Sequence, residues 1–224
     1  MSRGSTVRIV LADDERMVRT ALRAILDAED GLTVVGEAGD GAEAVSEVRR
    51  LRPDVVLMDV RMPHIDGIRA TEQILATPGD APRVIVVTTF ENDSSVYEAL
   101  RAGAAGFLLK RADADTLVQA VRLVACSDTL LFPAAVRALA DRHARPATAP
   151  PAWLPRLTGR ERDVLRLMAR GLTNAEIAAR LQVGPATVKS HVAAVLSKTG
   201  ARDRTGAVIA AYEAGFIREE ADGA

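Results

Sequence analysis

Along residues 1–126, short apolar runs alternate with segments whose hydrophobic positions recur every three to four residues. The runs fall at 7–12, 33–37, 54–58, 84–88 and 105–109, and the helical-period segments near 16–28, 41–51, 65–76, 93–102 and 114–125. Runs of this length, rich in Val, Ile and Leu and separated by single helices, predict five βα units. Parallel neighbours need a crossover helix, and such helices cover both faces, so the expected fold is an α/β doubly wound five-stranded parallel sheet. The helix period is clearest in Val96 and Leu100, and in Leu117, Val121 and Val124. Gly31, Gly79 and Gly103 stand where helices should end, a place that takes left-handed backbone.

From Leu157 the strand pattern stops. Thr158-Gly-Arg-Glu161 and Thr173-Asn-Ala-Glu176 are capping boxes, each opening a helix. The first helix carries Val164, Leu165, Leu167 and Met168 and stops at Gly171; the second carries Ile177, Ala178 and Leu181. After a short Gln182-Val-Gly184 turn, Pro185 sits at a third helix start, its favoured position. A fourth helix is expected from about Asp203 to Ala214. The pair 173–181 and 185–199 has the lengths and tight turn of a helix-turn-helix within an all-α four-helix domain. On the third helix Val188, Val192, Val195, Leu196 and Thr199 share one face, and Ser190, Ala194 and Ser197 point the opposite way. Lys189 and Ala193 lie on one flank, His191 and Lys198 on the other. Gly206, early in the fourth helix, is either tolerated first-turn slack or a site of close helix approach.

Between the two patterns lies RHARPATAPPAWLP (142–155), with Pro146, Pro150, Pro151 and Pro155. Prolines remove donors and disfavour helix in the residue before them, so this stretch is expected to be an extended, semi-stiff linker. Ala134 to Asp141 is helical in pattern and expected to cap the first domain. The domain plan is therefore 1–127, a helix and linker at 128–156, a helical domain at 157–217 and a tail at 218–224.

Composition changes this picture little. Nearly half the residues are hydrophobic (48%), which argues against disorder outside the linker. No apolar run approaches the about 20 residues a bilayer requires, and Met1 to Thr6 is polar, unlike a signal peptide. One cysteine, Cys126, forbids an internal disulfide and suits a reducing cytoplasm. Charge is asymmetric: 15 Lys/Arg against 20 Asp/Glu in 1–127, a net of −5, and 10 against 5 in 152–217, a net of +5. Opposite signs suggest an acidic metal-binding half and a half that meets a polyanion.

The chemistry sits where the apolar runs end. VRIVLADDE (7–15) ends on Asp13 and Asp14, VVLMDVRMP (55–63) on Asp59, VIVVTTF (84–90) on Thr88 and AGFLLK (105–110) on Lys110. An open parallel sheet places its ligand site at the carboxyl ends of its strands. Three carboxylates make a hard oxygen site suited to Mg²⁺. A hydroxyl and an ammonium are the partners a phosphoryl group on one of those carboxylates would need. The chain has only three lysines, so one in that slot is informative.

With those residues in that order, segment 7–126 resembles the receiver domain of bacterial two-component response regulators. The resemblance implies phosphoryl transfer from a sensor histidine kinase to Asp59 with Mg²⁺. It implies that Asp13 and Asp14 form the acidic metal pair, that Thr88 and Lys110 are the switch hydroxyl and phosphate-pairing lysine, and that Phe107 is the aromatic whose rotamer follows phosphorylation. Mg²⁺ held by Asp14, Asp59 and the Arg61 backbone carbonyl, with Asp13 acting through water, would neutralise charge on the incoming phosphoryl group. Arg111 stands where many receivers have proline. Arg61 and Phe90, each two residues beyond a site residue, are expected to flank the path of attacking water and lengthen the life of the aspartyl phosphate.

The stretch LTGRERDVLRLMARGLTNAEIAARLQVGPATVKSHVAAVLSKTGARDRTGAV (157–208) resembles the LuxR-type DNA-binding domain of NarL-class response regulators. It implies a third helix in the major groove of double-stranded promoter DNA, with Lys189 matching a groove-contacting lysine, and a fourth helix that helps form a homodimer on phosphorylation. With Lys189, the helix face makes Ser190, His191, Ala193, Ser197 and Lys198 the expected DNA contacts, His191 and Lys198 on the flank suited to the DNA backbone. Ala193 departs from members with a longer polar residue there. A cytoplasmic, non-enzymatic transcription regulator follows. A haloacid-dehalogenase-like phosphatase, the enzyme alternative, wants its nucleophile on the first strand and an Asp-x-Asp pair, whereas Val60-Arg61 follows Asp59. A receiver acting as an unphosphorylated interaction module would lack site residues, and none is missing.

Overall fold

The computed structural model describes residues 6–77, 81–89, 94–126, 133–143 and 150–217, which fall into two compact units, Met1–Cys126 and Ser127–Ala224. In the first unit the elements alternate: β1 (Val7–Ala12), α1 (Arg16–Asp27), β2 (Leu32–Ala38), α2 (Gly41–Leu51), β3 (Val55–Asp59), α3 (Gly67–Ala76), β4 (Arg83–Thr88), α4 (Ser94–Arg101), β5 (Gly106–Leu109) and α5 (Ala114–Cys126). All strand pairs are parallel in the order β2-β1-β3-β4-β5. The central strands are apolar on both faces because helices cover both. Ile9, Val10, Val55, Val56, Val84 and Ile85 are all fully buried, each large side chain contributing about 1.5–3 kcal/mol. Helices α1 and α5 pack together, as do α2 with α3 and α3 with α4.

Helix starts follow local chemistry. Asp40, Asp66 and Asp113 accept the backbone N–H groups of Glu43, Arg69 and Thr116, satisfying donors that the first turn leaves unpaired. Gly31 and Gly103 have φ of 80° and 108°, as their places after α1 and α4 require; Gly79 lies outside the described residues. Gly67 is present for a different reason. A Cβ there would lie 1.9 Å from the carbonyl oxygen of Asp59, so α3 starts in backbone contact with the end of β3.

The second unit holds α6 (Pro133–His143), a 3-10 turn (Leu154–Arg156), α7 (Gly159–Ala169), α8 (Asn174–Leu181), α9 (Pro185–Thr199) and α10 (Arg204–Glu213). Both predicted capping boxes are complete. Two expectations change here. Helix α6, expected as part of the first domain, belongs to the second unit, where it packs on α10 with Val136, Leu139 and Ala140 buried. The end of the linker is not extended: Trp153 to Arg156 closes a turn with Pro155 in its first positions, where its missing N–H is harmless. Residues 144–149, with Pro146, and the tail 218–224 lie outside the described residues. At Gly206 a Cβ would meet only ordinary contacts at 3.5 Å, and its N–H is taken by Asp203 Oδ1 at 2.8 Å. It is therefore first-turn slack.

Candidate functional site

At the carboxyl edge of the sheet, β1 delivers Asp13 and Asp14, and β3 next to it delivers Asp59. Their carboxylate oxygens lie within 4.8 Å of one another. Asp13 and Asp59 are buried at 2% and 5% exposure, while Asp14 is exposed. Lys110, following β5, reaches into this cluster: its Nζ is 2.8 Å from Asp13 Oδ2, 3.0 Å from Asp59 Oδ2 and 3.3 Å from Glu15 Oε1. Its backbone N–H donates to the Thr88 carbonyl at 2.7 Å, which ties the ends of β4 and β5 together. Thr88 is itself buried at the end of β4, beside the strand that carries Asp59. Phe107 is buried within β5, Arg61 is exposed just after β3, and the Lys110–Arg111 peptide is trans. Phe90 lies outside the described residues.

The electrostatics follow from burial and pairing. Burial pushes the Asp59 carboxyl above its ordinary 3.8; the Lys110 ammonium pulls it back only in part, and the nearby charge of Asp13 adds to the rise. Burial alone would lower Lys110, but its close pairing with the Asp13 and Asp59 carboxylates outweighs that and holds the ammonium charged. The site is thus a closely spaced set of carboxylates with one fixed cation, and its donors are hard oxygens. That is the donor chemistry Mg²⁺ takes, and the spacing lets several carboxylates meet one ion. These residues fit the group.

Two supporting residues carry no sequence signal of their own. Arg19 of α1 donates to the Asp13 carbonyl at 2.6 Å and to Glu37 of β2 at 3.1 Å, bracing the backbone of the acidic pair. The paired guanidiniums of Arg23 and Arg19 hold Glu37 below the usual carboxylate value despite partial burial. Glu15 is the other, as a third acid on Lys110. A helical spacing would have shown Arg19 on the first turn of α1, but nothing in it pointed inward.

In the second unit, α9 turns Val188 and Val195 into the core and leaves Lys189, Ser190, Ala193 and Ser197 exposed. Ala193 therefore takes the place on the outer stripe expected for Ala194, which is half-buried like His191. Residues 186, 190, 193 and 197 fall at i, i+4, i+7 and i+11, one face of a helix. Ser190 Oγ donates to the Ala186 carbonyl at 3.1 Å. Lys198, expected among the DNA contacts, is instead paired inside the domain. Its Nζ lies 2.7 and 2.6 Å from the two oxygens of Glu161, the buried capping-box acid of α7. An ammonium bound to both oxygens of a buried carboxylate is a tie between α7 and α9, not a cation held out for a phosphate.

A five-stranded parallel sheet with an acidic pocket and a lysine at its carboxyl edge, followed by a helix-turn-helix, defines a receiver-type switch module joined to a DNA-binding module. Comparison with known proteins agrees. The family model for the response regulator receiver domain matches residues 9–122, and that for bacterial regulatory proteins of the luxR family matches 155–211. The chain is 37% identical over 220 residues to the uncharacterized transcriptional regulatory protein YxjL of Bacillus subtilis (strain 168), covering 95% of this chain and 98% of that protein. It is 35% identical over 215 residues to the response regulator protein VraR of Staphylococcus aureus, covering 95% and 100%. Among solved structures it is similar to the response regulator ChrA of a heme-sensing two-component system, at 36% identity, TM-score 0.52, and coverage of 96% and 100%. The chain belongs to the two-component response regulators with a LuxR-type helix-turn-helix, and it is a transcription regulator. Among the described residues no helix is long and apolar enough to cross a membrane.

Proposed function

We propose that Asp59 accepts a phosphoryl group from a sensor histidine kinase and that this modification controls DNA binding by α9. The observation that carries it is the lysine held 2.8 and 3.0 Å from two buried carboxylates at the strand ends. Asp13, Asp14, Asp59 and the Arg61 carbonyl are the groups that would hold Mg²⁺, which when bound would neutralise anionic oxygens around the phosphorus. An oxygen of Asp59 forms the new bond to phosphorus as the bond from phosphorus to the kinase's imidazole nitrogen breaks. The electron pair returns to that nitrogen, which takes up a proton. Lys110 then offsets the charge of the acyl phosphate, and the Thr88 hydroxyl, at the end of β4, turns to donate to it. That movement, with a change at Phe107, is the switch.

The protein acts in this proposal as a cytoplasmic switch and not as an enzyme with a separate substrate. Lys189, Ser190, Ala193 and Ser197 would face the DNA groove, His191 would lie at its edge, and two phosphorylated copies would bind as a homodimer. The test is intact-mass spectrometry with Mg²⁺ and acetyl phosphate, run beside operator binding. The parent is expected to gain one phosphate and bind DNA more tightly. Asp59→Asn, which keeps the size but not the nucleophile, is expected to do neither. Phosphate on the Asn variant refutes the assignment.

A further inference from the structure

An ammonium carries three N–H donors, and Lys110 faces three carboxylates: Asp13 at 2.8 Å, Asp59 at 3.0 Å and Glu15 at 3.3 Å. The first two side chains are buried, whereas Glu15 is 63% exposed. Glu15 holds the N-cap position of α1, where a side chain ordinarily accepts a backbone N–H of the first turn. Its carboxylate makes no such bond. Its own backbone N–H donates to Asp13 Oδ1 at 2.9 Å, which fixes its place beside the acidic pocket. The side chain is thus left out of the helix cap and directed to a lysine 95 positions away in sequence.

We infer that Glu15 is a positioning residue that sets how readily Lys110 is released to a phosphoryl group on Asp59, an inference that rests on the phosphoacceptor role proposed above. Asp13 and Asp59 belong to the metal and phosphoryl chemistry itself. Glu15 has no part in either, so its contact with the ammonium only competes. A phosphoryl group on Asp59 offers anionic oxygens to the same N–H donors that Glu15 occupies. Weakening the Glu15 contact makes the lysine available sooner and favours the phosphorylated state.

Glu15→Gln removes the charge and keeps the length. Loss of an exposed ion pair of this kind shifts such equilibria by about two- to fivefold. That is the expected gain in initial rate and in plateau phosphorylation with Mg²⁺ and acetyl phosphate, read by intact mass. Removing a negative charge also lessens repulsion of the anionic donor, an effect that does not pass through Lys110. The two are separated in a Lys110→Gln background. An effect acting through the lysine vanishes there; an undiminished effect overturns the inference.

A second measurement needs no metal. The chain has three lysines, Lys110, Lys189 and Lys198, so lysine labelled with ¹³C at Cε gives three resonances. Without Mg²⁺, Glu15→Gln is expected to move the Lys110 resonance and leave the others in place, with Glu15→Asp giving a smaller shift of the same sign. A Lys110 resonance indifferent to both substitutions overturns the contact. A parent chain that takes up no phosphate overturns the phosphoacceptor role and this inference with it. A parent that is phosphorylated no more slowly than Glu15→Gln overturns the Glu15 role alone.

Discussion

Replacing Lys198 with alanine separates a structural lysine from a DNA-binding one. Glu161 is 5% exposed, and its carboxylate accepts the Thr158 N–H at 2.7 Å and the Lys198 ammonium at 2.7 and 2.6 Å. Truncation leaves a buried anion with its capping bond and no counter-charge. A hydrogen bond to a charged group contributes about 1.5–3 kcal/mol, and breaking a fully buried pair costs about 3–5 kcal/mol. The lysine side chain is 26% exposed, so water replaces part of what is lost, and the expected destabilisation is about 2 kcal/mol. For a small domain this lowers the melting temperature by about 8–16 °C. Trp153, the only tryptophan, lies in the second unit, so its fluorescence follows that unit's unfolding in the full chain. Well below the transition, the dependence of DNA affinity on salt should match the parent. The reasoning fails if the Trp153 transition stays within about 1 °C while the salt slope drops by about 0.9, because Lys198 would then be a phosphate clamp.

The same acid predicts a pH dependence. Burial alone would raise the Glu161 carboxyl, but bonds from Lys198 and Thr158 bring it below its ordinary 4.5. A depressed folded value means stability present above 4.5 and lost as the pH falls through it, so Glu161→Gln should flatten the acid limb of the Trp153 transition. Gly67→Ala would place a methyl 1.9 Å from the Asp59 carbonyl; it is expected to destabilise the receiver by about 1–3 kcal/mol and to slow phosphorylation about tenfold or more, read by urea titration and intact mass. Lys189→Ala should flatten preference at one or two base pairs of each half-site, at about 1–3 kcal/mol of discrimination. A uniform loss of affinity across operator variants would show a phosphate contact instead.

What the sequence made legible was local or periodic. A strand that is apolar to its last residue and then acidic announces both the strand and the site, so β1 with Asp13 and Asp14, and β3 with Asp59, could be read directly. The capping boxes at Thr158 and Thr173 were equally plain, because the interaction spans three residues. Contacts between distant segments left no such mark. Glu161 carried a complete local explanation as a cap, which hid its second partner 37 residues on. Glu15 looked like one more acid after a pair of them. The side on which α6 packs depends on what α10 offers, and its own pattern records only that one face is apolar. Ala193 and Ala194 exchanged places because adjacent alanines give a helical period nothing to choose between.

The outer stripe of α9 bears on how much information one copy could extract from a promoter. Its one long donor is Lys189. Ser190 has its proton committed to the Ala186 carbonyl, so toward a base edge it would offer lone pairs only, suited to an adenine or cytosine amino group and blind to guanine. Ala193 adds a methyl that could meet a thymine methyl and nothing more. A good bidentate contact discriminates by about 1–3 kcal/mol, whereas picking a site out of a genome takes about 4–10 kcal/mol over non-specific binding. One helix so sparsely equipped falls short of that. Two copies reading paired half-sites, with the stiffness of the intervening base steps adding its own preference, come within range. For a chain with this α9, pairing two molecules on DNA would determine whether a promoter is distinguished at all.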